Sequence, residues 1–502
     1  MFSKKKVIII GSGIGGLAAA LKLSSQGFEV DVYEKNLLPG GKIRCAQSPL
    51  GPIDMGPTVL TLKPKLDSLF NDVGESLEDY INIARQDILA RHWWPDGSTL
   101  DLQTSLEASL VAIRDFSGRK SALEFEKFYR TTKSLFDVLE SPIMNSPQVN
   151  VFELFAVAFK NFKSLAKFII NFNSLWGYLC AEFTDPRLRQ LFARYATYVG
   201  SSPFQSPALL SLIWQAEARG IWTISGGMSQ LPIALEQIAK RNGATFHYDS
   251  EVKKIEVNRG IVSGIINSSE EFKPADIILF NGDPAAINKG LLGSDVIKSI
   301  KKNSVSDRSL SAFVWSFLSN AKGKDLSFHN VFFNTNYRSE FLEISKGHIP
   351  TKPSIYVCAQ DRALSSKKMS KERFEIIVNA APVSGNSNRF NKIEIYERCK
   401  EITFETLRKR GLVFSSNPAK ECLITPDEFG EIFPGSEGSL YGLSSSKKSS
   451  TFRRPGVKTN VQGLYLAGGG VHPGPGVPMA LSPGKHAAEI ILRDNLNYTS
   501  NQ

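Results

Sequence analysis

The first 35 residues constrain the fold of this chain more than any other stretch. A short apolar run rich in β-branched residues, Val7–Ile10, leads into a cluster of glycines, and an Ala- and Leu-rich helical segment follows. A second apolar run, Val30–Tyr33, then ends at an acidic residue. Strand, glycines, helix, strand and acid in this order are typical of a βαβ unit that binds a dinucleotide. The candidate binding residues are Gly11, Gly13, Ile14, Gly15, Gly16 and Glu34.

The glycines of this unit have separate mechanical roles. Gly11 permits the tight turn out of the strand, Gly13 lets a pyrophosphate approach the backbone, and Gly16 lets the helix lie close to the sheet. The anion would then contact the free N–H groups at the N-terminus of the helix. Glu34 follows Gly16 at close to the ~20 residues expected for a carboxylate that binds the ribose hydroxyls.

Composition narrows the class of protein and of partner. A length of 502 residues predicts two or three domains. The five cysteines are widely spaced without a CxxC pair, which favours reduced thiols in a cytosolic compartment over disulfides or a zinc site. The net charge of +11 is accompanied by no nucleic-acid-binding motif, and no metal-ligand spacing is present. We therefore expect neither a metal site nor a nucleic-acid partner.

Two further glycine-rich stretches follow the βαβ unit, Pro39–Lys42 and Asp54–Val59. A nicotinamide-dependent dehydrogenase would continue with regular βα units here, whereas such loops can wrap the rest of a longer dinucleotide. The pair resembles the flavin amine oxidase and carotenoid desaturase superfamily, in which a Gly-Gly doublet and a basic residue lie along the pyrophosphate and the flavin. Lys42 stands where members usually carry Arg, so the cation remains but the bidentate fork is lost.

Within that superfamily the chain resembles the bacterial-type phytoene desaturase family. Gly56–Val59 and the C-terminal stretch Tyr465–Pro478 are similar to the two best-marked stretches of that family. Leu60–Leu62 and Arg91–Ser98 resemble its hydroxyneurosporene (methoxyneurosporene) 3,4-desaturase branch. The resemblance spans both ends and several internal blocks, and therefore most of the chain.

The resemblance implies FAD as cofactor and contacts from three parts of the chain. The backbone at Val252 would contact the adenine, and the C-terminal glycine-rich loop would face the flavin. A helix N-terminus after this loop could offer N–H groups where negative charge develops on flavin reduction, although Pro483 and Gly484 interrupt the predicted helix. The further cofactor-binding residues are Gly41, Lys42, Gly56, Pro57, Thr58, Val252, Gly469, Gly476, Val477 and Pro478.

The resemblance also implies a reaction. An FAD-dependent oxidoreductase of this branch would remove hydrogens from C3 and C4 of a 1-hydroxy or 1-methoxy carotenoid such as 1-hydroxyneurosporene, in carotenoid biosynthesis. The proton would pass to a base or water that the sequence does not identify, and we assign no catalytic residue. The electron acceptor would be oxygen or a quinone. The long substrate would need an apolar tunnel, which the 32 phenylalanines allow.

Two alternatives remain open at this point. The first, in the same class, is a phytoene desaturase or another carotene oxidase of the family. The second is a non-catalytic prenyl-chain binder like the GDP-dissociation inhibitors that share this fold. An amine oxidase is disfavoured, because that family often attaches flavin through a cysteine near the C-terminal motif and the last cysteine here is Cys422.

The expected fold is α/β. It consists of a Rossmann-like FAD-binding domain of the amine oxidase and GDP-dissociation-inhibitor type, with an inserted mixed β-sheet substrate domain and a helical membrane-associating region. The expected parts are FAD-binding residues 1–120, a helical substrate and membrane region 121–220, FAD-binding residues 221–290, a substrate domain 291–439, and FAD-binding residues 440–502.

The stretch Val151–Phe172 combines a phenylalanine face with a basic face. Its phenylalanines recur at helical spacing and its lysines gather on a neighbouring arc, but the lysines are too frequent for a spanning helix. A basic amphipathic helix on a bilayer surface and a helix packed on the core with solvated lysines both fit this pattern. The first reading predicts a monotopic, cytoplasmic protein peripheral to the inner membrane. The residues concerned are Phe152, Phe155, Phe159, Lys160, Phe162, Lys163, Lys167 and Ile169.

Overall fold

A computed structural model describes residues 5–148, 174–302, 307–362, 370–383, 392–446 and 450–500. The strands are β1 Lys6–Ile10, β2 Glu29–Tyr33, β3 Cys45–Ala46, β4 Ile53–Asp54, β5 Ile83–Gln86, β6 Ile88–Trp93, β7 Thr99–Gln103, β8 Ile221–Ile224, β9 Thr245–His247, β10 Val252–Asn258, β11 Ile261–Asn267, β12 Phe272–Pro274, β13 Ile277–Phe280, β14 Ser311–Ser319, β15 Ala321–Lys322, β16 His329–Phe332, β17 Ile355–Ala359, β18 Glu372–Ala380, β19 Val413–Phe414, β20 Leu423–Ile424 and β21 Leu464–Leu466.

The α-helices are Ile14–Ser25, Lys63–Asn71, Leu106–Met144, Leu175–Glu182, Pro186–Ala193, Trp214–Ala218, Gln230–Arg241, Pro284–Asn288, Tyr337–Ser345, Lys392–Lys409, Pro426–Ile432, Ser450–Arg453 and Val477–Ser500. Short 3₁₀ helices are Leu77–Asp79, Arg194–Val199, Ala208–Ile213, Ser294–Ser299, Gln360–Arg362 and Lys420–Cys422.

The N-terminal motif builds a five-stranded parallel sheet in the order β21-β13-β1-β2-β9. Strand β1 lies in its centre, and Val7, Ile8 and Ile9 are completely buried. The carboxyl ends of these strands are aligned, because Ile10 pairs with both Tyr33 and Phe280. The predicted Rossmann-like architecture is therefore confirmed, and the glycine-rich turn leaves the sheet at the edge where such folds bind ligands.

A mixed seven-stranded sheet has the order β20-β14-β18-β17-β16-β6-β7. Its neighbouring strands are antiparallel except β16 and β6. One face packs against helix Lys392–Lys409, where the rings of Trp315 and Phe404 lie 5.4 Å apart. The predicted mixed β-sheet is therefore confirmed. Strands β6 and β7 reach it from within residues 1–120, and the predicted division into five parts stays a prediction.

The helical region is held together by an aromatic cluster. Phe128 of the long helix Leu106–Met144 packs on Phe192 and Trp214 with ring centroids 4.7 and 5.7 Å apart. Within the described residues, no helix has both the length and the apolar composition needed to cross a bilayer. The predicted amphipathic stretch Val151–Phe172 lies outside the described residues.

The C-terminal helix, Val477–Ser500, contains Pro483 and Gly484, and its packing explains the glycine. A Cβ atom at Gly484 would overlap the carbonyl oxygen of Gly15 in the N-terminal helix. A Cβ atom at Gly15 would lie 2.8 Å from the carbonyl oxygen of Ala480. The two helices therefore cross with their backbones in contact, and Gly484 permits this crossing although it interrupts the sequence pattern.

This crossing predicts the effect of a single added methyl group. Replacing Gly484→Ala should lower the apparent Tm, because overpacking against Gly15 destabilises by roughly 1–3 kcal/mol. Helix propensity alone predicts a stabilisation of about 1 kcal/mol, the opposite sign. Thermal unfolding of the full chain distinguishes the two results. The matched control is Arg493→Ala on the same helix, at an exposed position, with an expected change of less than about 0.5 kcal/mol.

Candidate functional site

One continuous cavity of about 700 Å³ runs from the carboxyl edge of the parallel sheet to the inner face of the mixed sheet. It is lined by every predicted cofactor-binding residue except Gly16. Gly16 lies behind the wall, where a Cβ atom would overlap the carbonyl oxygen of Gly11. The fold therefore brings together glycines that are more than 450 residues apart in sequence, Gly11 and Gly476 among them.

Glu34 forms the acidic end of the cavity and is held by four hydrogen bonds. Ser12 donates to Oε2 from its backbone N–H (2.8 Å) and its hydroxyl (3.0 Å). Asn36 donates to Oε1 from its backbone N–H (2.9 Å) and its side chain (2.7 Å). Ribose hydroxyls would take the place of one or both side-chain donors. Val252 lines the same end, where the backbone N–H of Ser250 bonds to the Glu34 carbonyl at 2.9 Å.

The first two glycine-rich segments touch each other through their backbones. Gly40 donates its N–H to the carbonyl oxygen of Ser12 at 2.9 Å. A Cβ atom at Gly41, where φ is +58°, would lie 3.0 Å from the Cα atom of Gly13. The third segment joins them, because a Cβ atom at Gly56 would overlap the carbonyl oxygen of Lys42. The Gly-Gly doublet is therefore more than a simple turn. Its backbone packs directly on the dinucleotide motif, and the two segments together form one wall of the cavity.

Asn281 organises this wall, and sequence reasoning missed it. Its side-chain amide donates to the carbonyl oxygen of Gly11 at 3.1 Å. Its Oδ1 atom is buried without a partner among the described residues, and a Cβ atom at Gly15 or Gly468 would lie 2.7 or 2.8 Å from it. The only sequence signal was its position directly after the apolar strand β13, at the carboxyl edge of the sheet.

Lys42 and Arg44, two of the cations that line the cavity, have different surroundings. Lys42 donates its ammonium to the Leu440 carbonyl oxygen at 2.6 Å, and burial lowers its pKa to about 8. Arg44 also lines the cavity, and burial lowers its pKa although the charge of Glu34 opposes that shift. The described part of the chain contains no ion pair to the Arg44 guanidinium. Arg44 therefore adds the planar cation that Lys42 does not supply, two residues further along the loop.

The C-terminal loop closes the other side of the cavity. Arg454 donates to the carbonyl oxygens of Tyr441 (3.1 Å), Gly469 (3.2 Å) and Leu443 (2.8 Å). These bonds hold Gly469 in place beside the cavity. Gly476, with φ of +106°, precedes the C-terminal helix, whose first residues Val477 and Pro478 line the cavity. The helix N-terminus therefore directs a positive partial charge into this end of the site.

The remainder of the cavity is mainly apolar and lies between the helical region and the mixed sheet. The long helix contributes Phe136, Leu139 and Ile143, and the segment near residue 210 contributes Leu209, Leu210, Leu212 and Ile213. The sheet contributes Val314, Val331 and Ile377. A hydrophobic chain of considerable length fits such a surface better than a small polar substrate does.

A buried acidic pair lies just outside this cavity. Asp54 accepts the backbone N–H of Met228 at 2.9 Å, and burial raises its pKa to about 7. Burial likewise raises the pKa of Glu375 well above its ordinary value, and Asp54 adds to that shift. The sequence assigned no role to either carboxylate, although Asp54 begins the glycine-rich stretch Asp54–Val59. Asp54 serves to join β4 to the segment that begins helix Gln230–Arg241.

Comparison with known proteins then decides the family. The family model described as flavin containing amine oxidoreductase matches residues 14–306. The chain belongs to this flavin-dependent family. Hydroxyneurosporene desaturase of Cereibacter sphaeroides is 42% identical over 489 residues, which cover 97% of this chain and 98% of that protein. The 1-hydroxycarotenoid 3,4-desaturase of a Flavobacterium species is 30% identical, with 98% of this chain and 100% of that protein covered.

The structural comparison agrees on the fold. An oxidoreductase from Methanosarcina mazei superimposes with a TM-score of 0.62 at 17% identity, covering 96% of this chain and all of that chain. The predicted resemblance to carotenoid desaturases, and to the hydroxyneurosporene branch among them, is confirmed by the sequence relatives.

FAD is the cofactor of this family member, and the residues present fit it. The cavity offers an acid at one end, backbone cradles and two cations next to it, and a helix N-terminus at the other end. These groups match ribose, pyrophosphate and a ring system that gains negative charge on reduction. Individual contacts between FAD and the predicted residues stay predictions.

The acidic end gives the sharpest test of this arrangement. Replacing Glu34→Gln should raise the Kd for FAD about 10- to 100-fold, because hydrogen bonds to a charged group contribute roughly 1.5–3 kcal/mol. Quenching of flavin fluorescence by deflavinated protein measures that Kd. Glu29→Gln, at the start of the strand that ends just before Glu34, is the matched control and should leave the Kd unchanged, because Glu29 pairs with Lys6 at the surface. Equal Kd values for both variants would contradict the assignment of Glu34.

Proposed function

We propose that this protein is an FAD-dependent carotenoid desaturase that introduces a C3–C4 double bond into a 1-hydroxy carotenoid such as 1-hydroxyneurosporene. The 42% identity to a hydroxyneurosporene desaturase over nearly the whole of both chains carries this proposal. It is supported by the continuity between the cofactor end of the cavity and its apolar end.

Desaturation requires that the protein hold an unreactive hydrocarbon against the cofactor. When bound, FAD supplies the two-electron acceptor for the hydride that leaves the allylic carbon. The apolar walls from helix Leu106–Met144 and from the mixed sheet exclude water and align the polyene by contact along its length. The helix N-terminus at Val477 favours negative charge at the cofactor end of the same cavity.

We also propose that the protein works at a membrane surface and passes electrons to oxygen or a quinone. A carotenoid dissolves in the bilayer, so a peripheral enzyme that takes it up directly avoids moving it through water. The basic amphipathic pattern of Val151–Phe172 supports this from the sequence alone. Attachment would be monotopic, at the cytoplasmic side of the inner membrane.

Substrate choice is tested in three cell strains that express this chain. One accumulates phytoene, one neurosporene and one 1-hydroxyneurosporene. We expect a red shift of the extracted pigment with 1-hydroxyneurosporene, because one more conjugated double bond is formed. Little or no shift is expected with the other two. Coloured product from phytoene would instead assign the protein to the general phytoene desaturase group.

Membrane binding is tested by sedimentation with vesicles that contain anionic lipid. Reversing Lys160, Lys163 and Lys167 to Glu should weaken binding about 100-fold or more, since each lysine near an anionic surface contributes roughly 1 kcal/mol. The matched control reverses Lys346, Lys409 and Lys420, which are exposed and lie outside this stretch of the sequence. If both triple variants sediment alike, the amphipathic stretch is not the attachment site.

A further inference from the structure

We infer that Tyr356, in a hydrogen-bonded chain with Thr58 and His329, binds the 1-hydroxyl group of the carotenoid and makes the enzyme select hydroxylated substrates. This inference rests on the proposed function, and it names the residues that would bind the hydroxyl group.

Tyr356 is the polar position in a cross-strand row of apolar residues on the cavity wall. It lies on β17 opposite Val331 of β16 and Ile377 of β18, and Ile377 lies opposite Val314 of β14. Residues directly opposite each other in neighbouring strands share one face of a sheet, and these four line the cavity. The row of three aliphatic side chains and one phenol presents a single polar atom to a hydrocarbon substrate.

The phenol oxygen has two partners and capacity for a third. Thr58 Oγ1 lies 2.6 Å from it, and His329 Nδ1 also lies 2.6 Å from it. Burial lowers the pKa of His329 to about 3, so the imidazole is neutral. If Nδ1 accepts, the Tyr356 hydroxyl donates its hydrogen bond to His329 and its oxygen accepts one from Thr58, which leaves one lone pair on the phenol oxygen. If Nδ1 donates, either the Tyr356 or the Thr58 proton stays free.

Either tautomer of His329 therefore leaves at least one hydrogen-bonding site unused on the Tyr356 and Thr58 hydroxyls, and His329 Nε2 is also buried without a partner among the described residues. A substrate hydroxyl both donates and accepts, so it satisfies that site in either case. A carotenoid without the hydroxyl would place a methyl group or a double bond there and leave the polar chain unsatisfied in an apolar cavity. Unpaired buried polar groups of this kind are the strongest basis for rejecting an analogue that lacks a hydroxyl group.

The location of the chain fits the chemistry of the reaction. In a 1-hydroxy carotenoid the oxygen is separated from C3 by three covalent bonds, which span at most about 4 Å. The group that binds the hydroxyl must therefore lie beside the cofactor, not deep in the substrate tunnel. Thr58 belongs to the Gly56–Thr58 loop, in which Gly56 packs on Lys42, and Thr58 joins Tyr356 to that loop.

A second tyrosine on the cavity wall is less suitable. The hydroxyl of Tyr198 donates to Glu217 at 2.5 Å and accepts from Arg194 at 2.6 Å. Glu217 also pairs with Arg194 at 3.1 Å, and both are buried. The Tyr198 hydroxyl therefore already donates its hydrogen bond to a carboxylate, which belongs to an ion pair on the helical side of the cavity. Tyr356 is linked to the cofactor loop and carries no charged partner.

The test compares flavin-loaded wild type with Tyr356→Phe on 1-hydroxyneurosporene and on neurosporene, which lacks the hydroxyl. We expect Tyr356→Phe to lower kcat/KM for the hydroxylated substrate about 10- to 100-fold. Its slow rate on neurosporene should be unchanged or higher, so the preference for the hydroxyl collapses. The Kd of each carotenoid, from quenching of protein fluorescence, should change in parallel. Tyr337→Phe removes a phenol hydroxyl from another buried cavity position and should keep the preference.

Thr58→Val provides a second, nearly isosteric variant if Tyr356→Phe does not fold. Its preference is measured at full flavin occupancy, which the visible spectrum reports, because Thr58 is also a predicted cofactor-binding residue, and the preference should be weaker than in the wild type. An unchanged ratio of kcat/KM in Tyr356→Phe, with wild type active, would overturn the role of Tyr356 and leave the proposed function intact. Loss of the preference in Tyr198→Phe alone would assign the hydroxyl to the helical side and also overturn it. A flavin-loaded wild type that converts neither carotenoid would overturn the proposed function and this inference with it.

Discussion

The direct contact between glycine-rich backbones is the constraint on which the site depends. Gly15 lies against the backbone of Gly468 and Ala480, and Gly484 lies against Gly15 in return. Side chains at these positions would separate the two ends of the chain and open the cavity between them. The first and last segments therefore act as one unit, and Asn281, directly after β13, holds the turn at Gly11 in place. Cofactor binding in this protein is a property of the assembled parallel sheet and not of the N-terminal motif alone.

The mixed sheet serves two environments with its two faces. One face buries Trp315 against helix Lys392–Lys409, which makes it a rigid support. The other face turns its alternate residues toward the apolar cavity, as the period of two in a strand requires. A hydrocarbon substrate has few polar groups. Its position in the cavity is therefore set by contacts with a rigid wall and by hydrogen bonds to any polar atom on that wall. Tyr356 is such an atom, and its rigid strand makes it suited to discriminate between substrates.

The sequence predicted those parts of the structure that depend on local chemistry. The strands around Ile8 and Val32, and the glycine turn and helix between them, follow from glycine placement and from the apolar runs, and the structure has them. Asn281, Arg44 and Tyr356 could not be found in this way, because each gains its role from a segment distant in sequence. Gly484 shows the converse case. It breaks the helical pattern locally, and only the crossing with Gly15 gives the reason.

The central claim is that one cavity places a carotenoid against the flavin held by both ends of the chain. Anaerobic mixing of the flavin-loaded protein with 1-hydroxyneurosporene tests it most directly, with the visible spectra of flavin and pigment recorded together. The account predicts that the flavin absorbance is lost in a fixed ratio to the carotenoid that is converted, because both electrons removed from the carotenoid pass to the flavin. Pigment conversion with fully oxidised flavin, or flavin that no carotenoid reduces, would contradict it.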